Sequence, residues 1–283
     1  MVVLLRMPSD LPIDPEAFKR FEHTGWGEVA HNYHDSFGRL TTQAVEPMLD
    51  ASGVGEGTRL LDVATGPGYV AAAAVRRGAR ALGIDFSSSM VAEARRLHPA
   101  VEFREGDAEA LPFERDTFDV VTIPFGLLHL ARPDTALAEA LRVLGPGGRV
   151  AFTVWDAPER AATFGIVLRA VEARGDLEVP IPSGPSFFRF SDAEECRRAL
   201  AEAGFAAPSV RTLPLSWRVP SADALLDLFL ESGVRTRALL RAQTPEALAA
   251  IRAAVHEGAR AYQRDGALEL PTPCVLAWAA KPG

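Results

Sequence analysis

The sequence predicts an α/β fold: a parallel sheet with helices on both faces. Three observations predict it. Between residues 59 and 155, short apolar runs alternate with helix-forming stretches. The turns joining them are short. The runs are almost continuously apolar rather than alternating, as strands covered on both faces should be. The first run spans 59–64 and ends in Gly66-Pro67-Gly68. An Ala-rich helix follows over 69–77. A second run covers 81–84 and stops at Asp85, after which Ser87 or Ser88 can cap a helix to Leu97. Runs at 101–104 and 118–123 make the third and fourth strands. Asp134 is expected to cap the next helix, which should stop at Gly145-Pro146-Gly147-Gly148 before a fifth strand over 149–155. Ligands of such sheets bind outside the carboxyl ends of the strands. Thr65 to Gly68, Asp85, Asp107, Pro124 to His129 and Asp156 are therefore site candidates.

The flanking segments are organised differently. Residues 1–50 read as a helical lid, with Trp26, His31, Tyr33 and His34 clustered. Residues 51–220 read as the α/β core, including a Pro- and Phe-rich loop over 178–190, a helix over 192–203 and an alternating strand over 209–219. Residues 221–266 read as a helical cap insertion of two or three helices. Residues 267–283 read as the final strand of the core, one run over 268–280.

Composition narrows the function classes. The chain has 283 residues, 48% of them hydrophobic and 24% charged, which is ordinary for a globular protein and excludes wholesale disorder. Net charge −7 lacks the basic footprint of a nucleic-acid binder. Only Lys19 and Lys281 are lysine, and the Arg richness most simply reflects a GC-rich genome. Cys196 and Cys274 lie far apart and near no other metal ligand, so no metal site or disulfide is expected. No stretch approaches the ~18 apolar residues of a membrane span, and the apolar start at Met1 is too short for a secretory signal. These readings together point to the cytoplasm.

The glycine turn admits two ligands. Gly66-x-Gly68-x-x-Ala71 fits a relaxed dinucleotide fingerprint, with Asp85 19 residues beyond Gly66 to hold a ribose. S-adenosyl-L-methionine (SAM) explains more. Asp62 lies inside the first strand, where a carboxylate is costly without a polar or cationic partner. An acid there suits a ligand with an ammonium and a sulfonium better than a pyrophosphate.

At this point the sequence resembles a known family. The stretch Leu60-Leu-Asp-Val-Ala-Thr-Gly-Pro-Gly-Tyr69 resembles motif I of the class I SAM-dependent methyltransferases, with Ala64 where the first glycine usually stands. The segments Gly83-Ile-Asp-Phe-Ser-Ser-Ser-Met90, Glu105-Gly-Asp-Ala-Glu-Ala-Leu-Pro-Phe113, Phe125-Gly-Leu-Leu-His129 and Leu141-Arg-Val-Leu-Gly-Pro-Gly-Gly-Arg149 resemble the following motifs in order. The resemblance covers roughly 24–155 and is closest to the small-molecule group around quinone-biosynthesis C-methyltransferases (UbiE-like, methyltransferase type 11) and natural-product methyltransferases. It implies a Rossmann-like, seven-stranded, mostly parallel sheet with the last strand antiparallel. It also implies a SAM site of Tyr33, Asp62, Ala64, Thr65, Gly66, Gly68, Asp85, Phe86, Met90, Gly106, Asp107, Ala108, Pro124 and Phe125. Asp85 would hold the ribose, Phe86 and Met90 would pack on adenine, and Asp107 with the Ala108 amide would read its edge. Tyr33 would meet the methionyl carboxylate.

Methyl transfer is an in-line displacement, so alignment of acceptor and methyl carries much of the rate. A general base helps when the acceptor is a hydroxyl or an acidic carbon. His129 is the best-placed candidate, against the alternative that it only packs or caps. Trp155, Phe187, Phe188 and Phe190 either line an apolar acceptor pocket or form the cap's own core. There is no Asn/Asp-Pro-Pro-Tyr/Phe segment after the fourth strand, and neither cysteine is placed to serve as a Pro-Cys nucleophile, which favours a small organic acceptor over nucleic acid. The expected product is S-adenosyl-L-homocysteine (SAH). A SAM-fold enzyme of isomerase or pericyclase type, a non-catalytic SAM-binding subunit, and a homo-oligomer stay open.

Overall fold

A computed structural model describes residues 14–283; the apolar start at Met1 lies outside them. Asp14 caps α1 (Pro15–Tyr33), its carboxylate accepting from the Glu16 and Ala17 amides. Two short helices follow, α2 (Phe37–Thr41) and α3 (Val45–Ser52). The core then alternates as β1 (Arg59–Val63), α4 (Tyr69–Arg76), β2 (Arg80–Asp85), α5 (Ser88–Leu97), β3 (Glu102–Glu105), β4 (Phe118–Pro124), α6 (Pro133–Val143), β5 (Leu144–Trp155) and α7 (Ala162–Arg174). After the loop come α8 (Ala193–Glu202), β6 (Ala206–Leu213), β7 (Ser216–Val219), α9 (Ala222–Ser232), α10 (Arg235–Arg241), α11 (Pro245–Ala259), β8 (Gln263–Arg264), β9 (Ala267–Pro271) and β10 (Cys274–Ala280).

The main sheet has seven strands in the order β3-β2-β1-β4-β5-β10-β6. β10 runs antiparallel to both neighbours, and β1 to β5 are parallel. Leu61 sits between Leu82 and Val121 in register, and Leu276 between Thr153 and Arg211. The apolar runs are buried as their pattern requires: Leu60, Leu61, Val121, Ile123, Val150 and Phe152 are all fully enclosed. The sheet therefore matches the seven-stranded expectation, including the antiparallel last strand.

Three local expectations differ. The run 209–219 is not one strand: β6 belongs to the main sheet and β7 to a small sheet of order β7-β9-β8. The run 268–280 divides likewise, so β9 belongs to the small sheet and only β10 closes the core. Pro214 and Pro273 stand at the two breaks, where they cannot donate to a ladder. The breaks lie side by side, because the Thr272 amide donates to the Leu215 carbonyl at 2.8 Å. Asp134 does not cap α6. Pro133 opens that helix after Arg132, and Asp134 instead binds Arg189 through both oxygens at 2.7 and 2.8 Å. Ser87 does cap α5, accepting from the Met90 amide.

A candidate SAM and acceptor site

A cavity of about 1340 Å³, counted to its open mouth, lies at the carboxyl ends of β1, β2, β4 and β5 beneath α1. One end is polar. Gly66 has φ +52°, and its amide donates to Asp85 Oδ2 at 2.9 Å, while Oδ1 accepts from the Ser87 amide at 2.9 Å. Burial pushes the Asp85 carboxyl up to about 6. The loop after β3 is fastened to this strand end by the Gly106 amide, which donates to the Asp85 carbonyl at 2.9 Å. It presents Asp107 and Ala108 to the cavity. Asp107 Oδ1 accepts from the Glu109 amide at 2.9 Å, and Oδ2 pairs with Lys19 of α1.

The other end is aromatic. Trp155 lies tilted against Phe125, with centroids 4.2 Å apart, and packs against Phe164 at 5.2 Å, which in turn meets Phe187 and Phe229. Between the two ends, Ala64 and Phe125 both take the left-handed conformation, at φ 51° and 52°. This bend turns the chain sharply outward after β1 and after β4. Ala64 is accommodated because position 126 is glycine; a Cβ there would lie 2.6 Å from that of Ala64. His129 ends a single 3-10 turn, Leu127–His129, directly after β4. Its ring lines the cavity, with its centroid 4.7 Å from that of Trp26 and 5.6 Å from that of Phe187.

The demethylmenaquinone methyltransferase of Renibacterium salmoninarum is 34% identical over 179 residues, covering 59% of this chain and 74% of that protein. The chain belongs to the UbiE-like class I SAM-dependent methyltransferases. Residues 61–152 match the family model described as a methyltransferase domain. The ubiquinone/menaquinone biosynthesis C-methyltransferase UbiE of Roseobacter denitrificans is 33% identical, covering 60% of this chain and 75% of that protein. Several other bacterial demethylmenaquinone methyltransferases match over only about half their length. The fold is shared with phosphoethanolamine N-methyltransferase 2 of Haemonchus contortus, solved with phosphomonomethylethanolamine and SAH. The TM-score there is 0.57 at 20% identity, with 94% of this chain and 60% of that chain covered. The protein is thus a methyltransferase that uses SAM. Among the described residues no helix is long and apolar enough to cross a membrane.

Of the SAM-site residues that the family resemblance implies, Tyr33, Ala64, Thr65, Gly66, Asp85, Phe86, Met90, Gly106, Asp107, Ala108, Pro124 and Phe125 line this methyltransferase cavity, as do His129, Trp155 and Phe187. Burial pushes the Tyr33 phenol up to about 12, which keeps it neutral near pH 7. Asp62, Gly68, Phe188 and Phe190 are not among the lining residues. Asp62 is fully buried beneath the turn. It accepts from Thr65 Oγ1 (2.5 Å), Thr122 Oγ1 (2.8 Å) and the Ala71 amide (3.2 Å). Its partners among the described residues are internal donors. Gly68 serves the turn: φ is +84°, and a Cβ would lie 2.5 Å from the Phe103 ring. Phe188 packs on Phe164, and Phe190 packs on Phe152 under the Arg189 guanidinium. Asp156 is held by Arg160 and the Ala157 amide.

Sequence reasoning missed other lining residues: Lys19, Phe37, Tyr69, Phe164, Phe229 and Arg235. It also missed Glu22, a fully buried carboxylate bonded to both His129 and Arg235. The separations of 107 and 213 residues leave no local signal for that cluster.

Proposed function

We propose that this methyltransferase alkylates a small, flat, largely apolar acceptor, such as a phenolic or quinol ring, with His129 accepting the acceptor's proton. One observation carries the reading: a single cavity has a carboxylate-and-amide end and an aromatic end, and His129 stands in its lining. The polar end suits the cofactor. Asp85 keeps lone pairs free for ribose hydroxyls, Phe86 and Met90 offer apolar surface to adenine, and Asp107 with the Ala108 amide offers an acceptor and a donor to its edge. Lys19 has to share Asp107 or move aside. Tyr33 would bind the methionyl carboxylate. Asp62 and Gly68 shape the turn rather than touch the ligand. When bound, SAM supplies a methyl group activated by a sulfonium. Trp155, Phe125 and Phe187 hold the acceptor ring by its faces and edges and exclude water. As partner we take a small molecule and not a nucleic acid, and as compartment the cytoplasm.

The kinship with demethylmenaquinone methyltransferases favours a quinone-type ring, so the reduced naphthoquinone 1,4-dihydroxynaphthalene is the first probe. The experiment incubates the full chain with methyl-labelled SAM and that probe, beside a panel of simple phenols. The expected result is labelled organic product with SAH formed in equal amount. Absence of SAM or SAH binding by calorimetry, or turnover of the probe without SAH release, overturns the reading. Light scattering of the same sample distinguishes monomer from homo-oligomer.

A further inference from the structure

We propose that Glu22 is the positioning residue for His129: a carboxylate carried by the lid helix fixes the imidazole tautomer, and the base is complete only while α1 and α10 are both docked. This rests on the reading of His129 as the base. Glu22 is fully buried on α1, and a lone buried carboxylate costs several kcal/mol. Both of its oxygens are engaged. Oε2 lies 3.0 Å from His129 Nδ1, and Oε1 accepts from Arg235 Nε at 2.6 Å. Burial pushes the Glu22 carboxyl up, but the charges and hydrogen bonds of His129 and Arg235 outweigh it and hold the group below its ordinary value.

Arg235 does more than neutralise. Its Nη2 donates to the Leu128 carbonyl at 2.6 Å, next to His129 itself, and its Nη1 to the Pro185 carbonyl at 2.8 Å. Its guanidinium lies over the Phe18 ring of α1 at 4.4 Å. One cation from α10 therefore grips the lid, the turn that carries His129 and the Phe-rich loop. Trp26, one helical turn beyond Glu22, meets the face or edge of the same imidazole.

A carboxylate can only accept, so neutral His129 carries its proton on Nδ1 and its lone pair on Nε2. Among the described residues Nε2 has no protein partner. In transfer, the acceptor's atom bonds to the methyl carbon, the carbon–sulfur bond breaks with its electrons on sulfur, and the acceptor's proton goes to Nε2. The imidazolium so formed lies beside the Glu22 carboxylate, which favours it. The charged groups facing the ring are Glu22 from α1 and Arg235 from α10; Lys19, Asp85, Asp107 and Glu109 line the same cavity.

The test is ring-nitrogen NMR of the full chain with labelled histidine, saturated with SAH, recorded with the ring neutral, and assigned with His129→Asn. Wild type should show the proton on Nδ1. In Glu22→Gln the amide oxygen must face Arg235, which can only donate. The NH2 then faces Nδ1 and drives the proton to Nε2. With 1,4-dihydroxynaphthalene, kcat should drop at least about tenfold with KM and SAH affinity unchanged, and Glu22→Asp should restore part of it. An unchanged tautomer in Glu22→Gln overturns the proposal, as does a wild-type proton on Nε2. If Glu22→Gln does not fold, Arg235→Gln reads the same network: with Arg235 no longer competing for the carboxylate, the His129 Nδ1 proton resonance should move downfield, and no change overturns the proposal. Full turnover by His129→Asn overturns instead the reading of His129 as base, whatever Glu22 does to the tautomer.

Discussion

Asp62 offers a sharp test of how the glycine turn is built. Burial raises its carboxyl from the ordinary 3.8 to about 6, against the hydrogen bonds from Thr65, Thr122 and Ala71. At about 1.36 kcal/mol per pH unit, that gap disfavours the folded state by roughly 3 kcal/mol once the group is ionised. The folded form holds its proton more tightly than the unfolded form. Stability from this group is therefore full below about pH 4, falls as pH rises to about 6, and is level beyond. Replacing Asp62 by Asn removes the titration and keeps the shape. The amide oxygen can retain Thr65 and Ala71, which both bond Oδ2, while the NH2 faces Thr122, whose hydroxyl can turn to accept. Relative to wild type, Asp62→Asn should gain about 1 kcal/mol in unfolding free energy between about pH 5 and pH 8. Urea denaturation of both proteins across that range measures the difference directly. Asp85 titrates in the same window in both proteins and so largely cancels. SAH affinity, by calorimetry, should stay near wild type. Parallel stability curves would refute the burial argument. A large loss of SAH affinity in a well-folded Asp62→Asn would show that the acid reaches the ligand after all.

Asp85→Ala should lower SAH affinity at least tenfold, since it deletes the lining carboxylate and frees the Gly66 and Ser87 amides; isothermal titration reads it. Ala64→Gly should raise unfolding free energy by about 1 kcal/mol, because a left-handed alanine is strained and glycine is not. Urea denaturation checks this, and Gly126→Ala should be destabilising for the complementary reason. Phe190→Ala should cost about 3–5 kcal/mol of stability with KM for the acceptor unchanged. Phe187→Ala should raise that KM, so paired denaturation and kinetic measurements separate the two neighbours.

What was legible in the sequence follows from the range of each signal. β1, α4, β2 and α5 are written in contiguous residues: an apolar run, a glycine turn, an alanine-rich stretch, a serine cap. So are the residues that meet at the ends of parallel strands, because the topology brings every strand's carboxyl end to one edge. The exceptions have long-range causes. Asp62 carries no local sign of its donor Thr122, which lies on the neighbouring strand. Phe187 and Phe188 are consecutive in a loop without periodicity, so nothing local says that the first lines the cavity and the second packs behind it. Pro214 and Pro273 do mark breaks locally, but their meaning depends on each strand pairing within a different sheet. Glu22 is invisible because both of its partners come from distant elements.

β10 is the last described element in the chain, yet it lies between β5 and β6. On the ribosome, β5 is complete long before its neighbour exists. Residues 156–273 must be made first, which takes roughly 6–24 s at ~5–20 residues per second. During that interval Ala151, Phe152, Val154 and Trp155 belong to an open edge that ends up wholly covered. Such a β-prone apolar segment without a charge is a template for pairing with another chain. The same arrangement that centres the final strand in the sheet should make expression of this enzyme sensitive to chaperones and to translation speed, and any truncation that removes β10 exposes two strands rather than one.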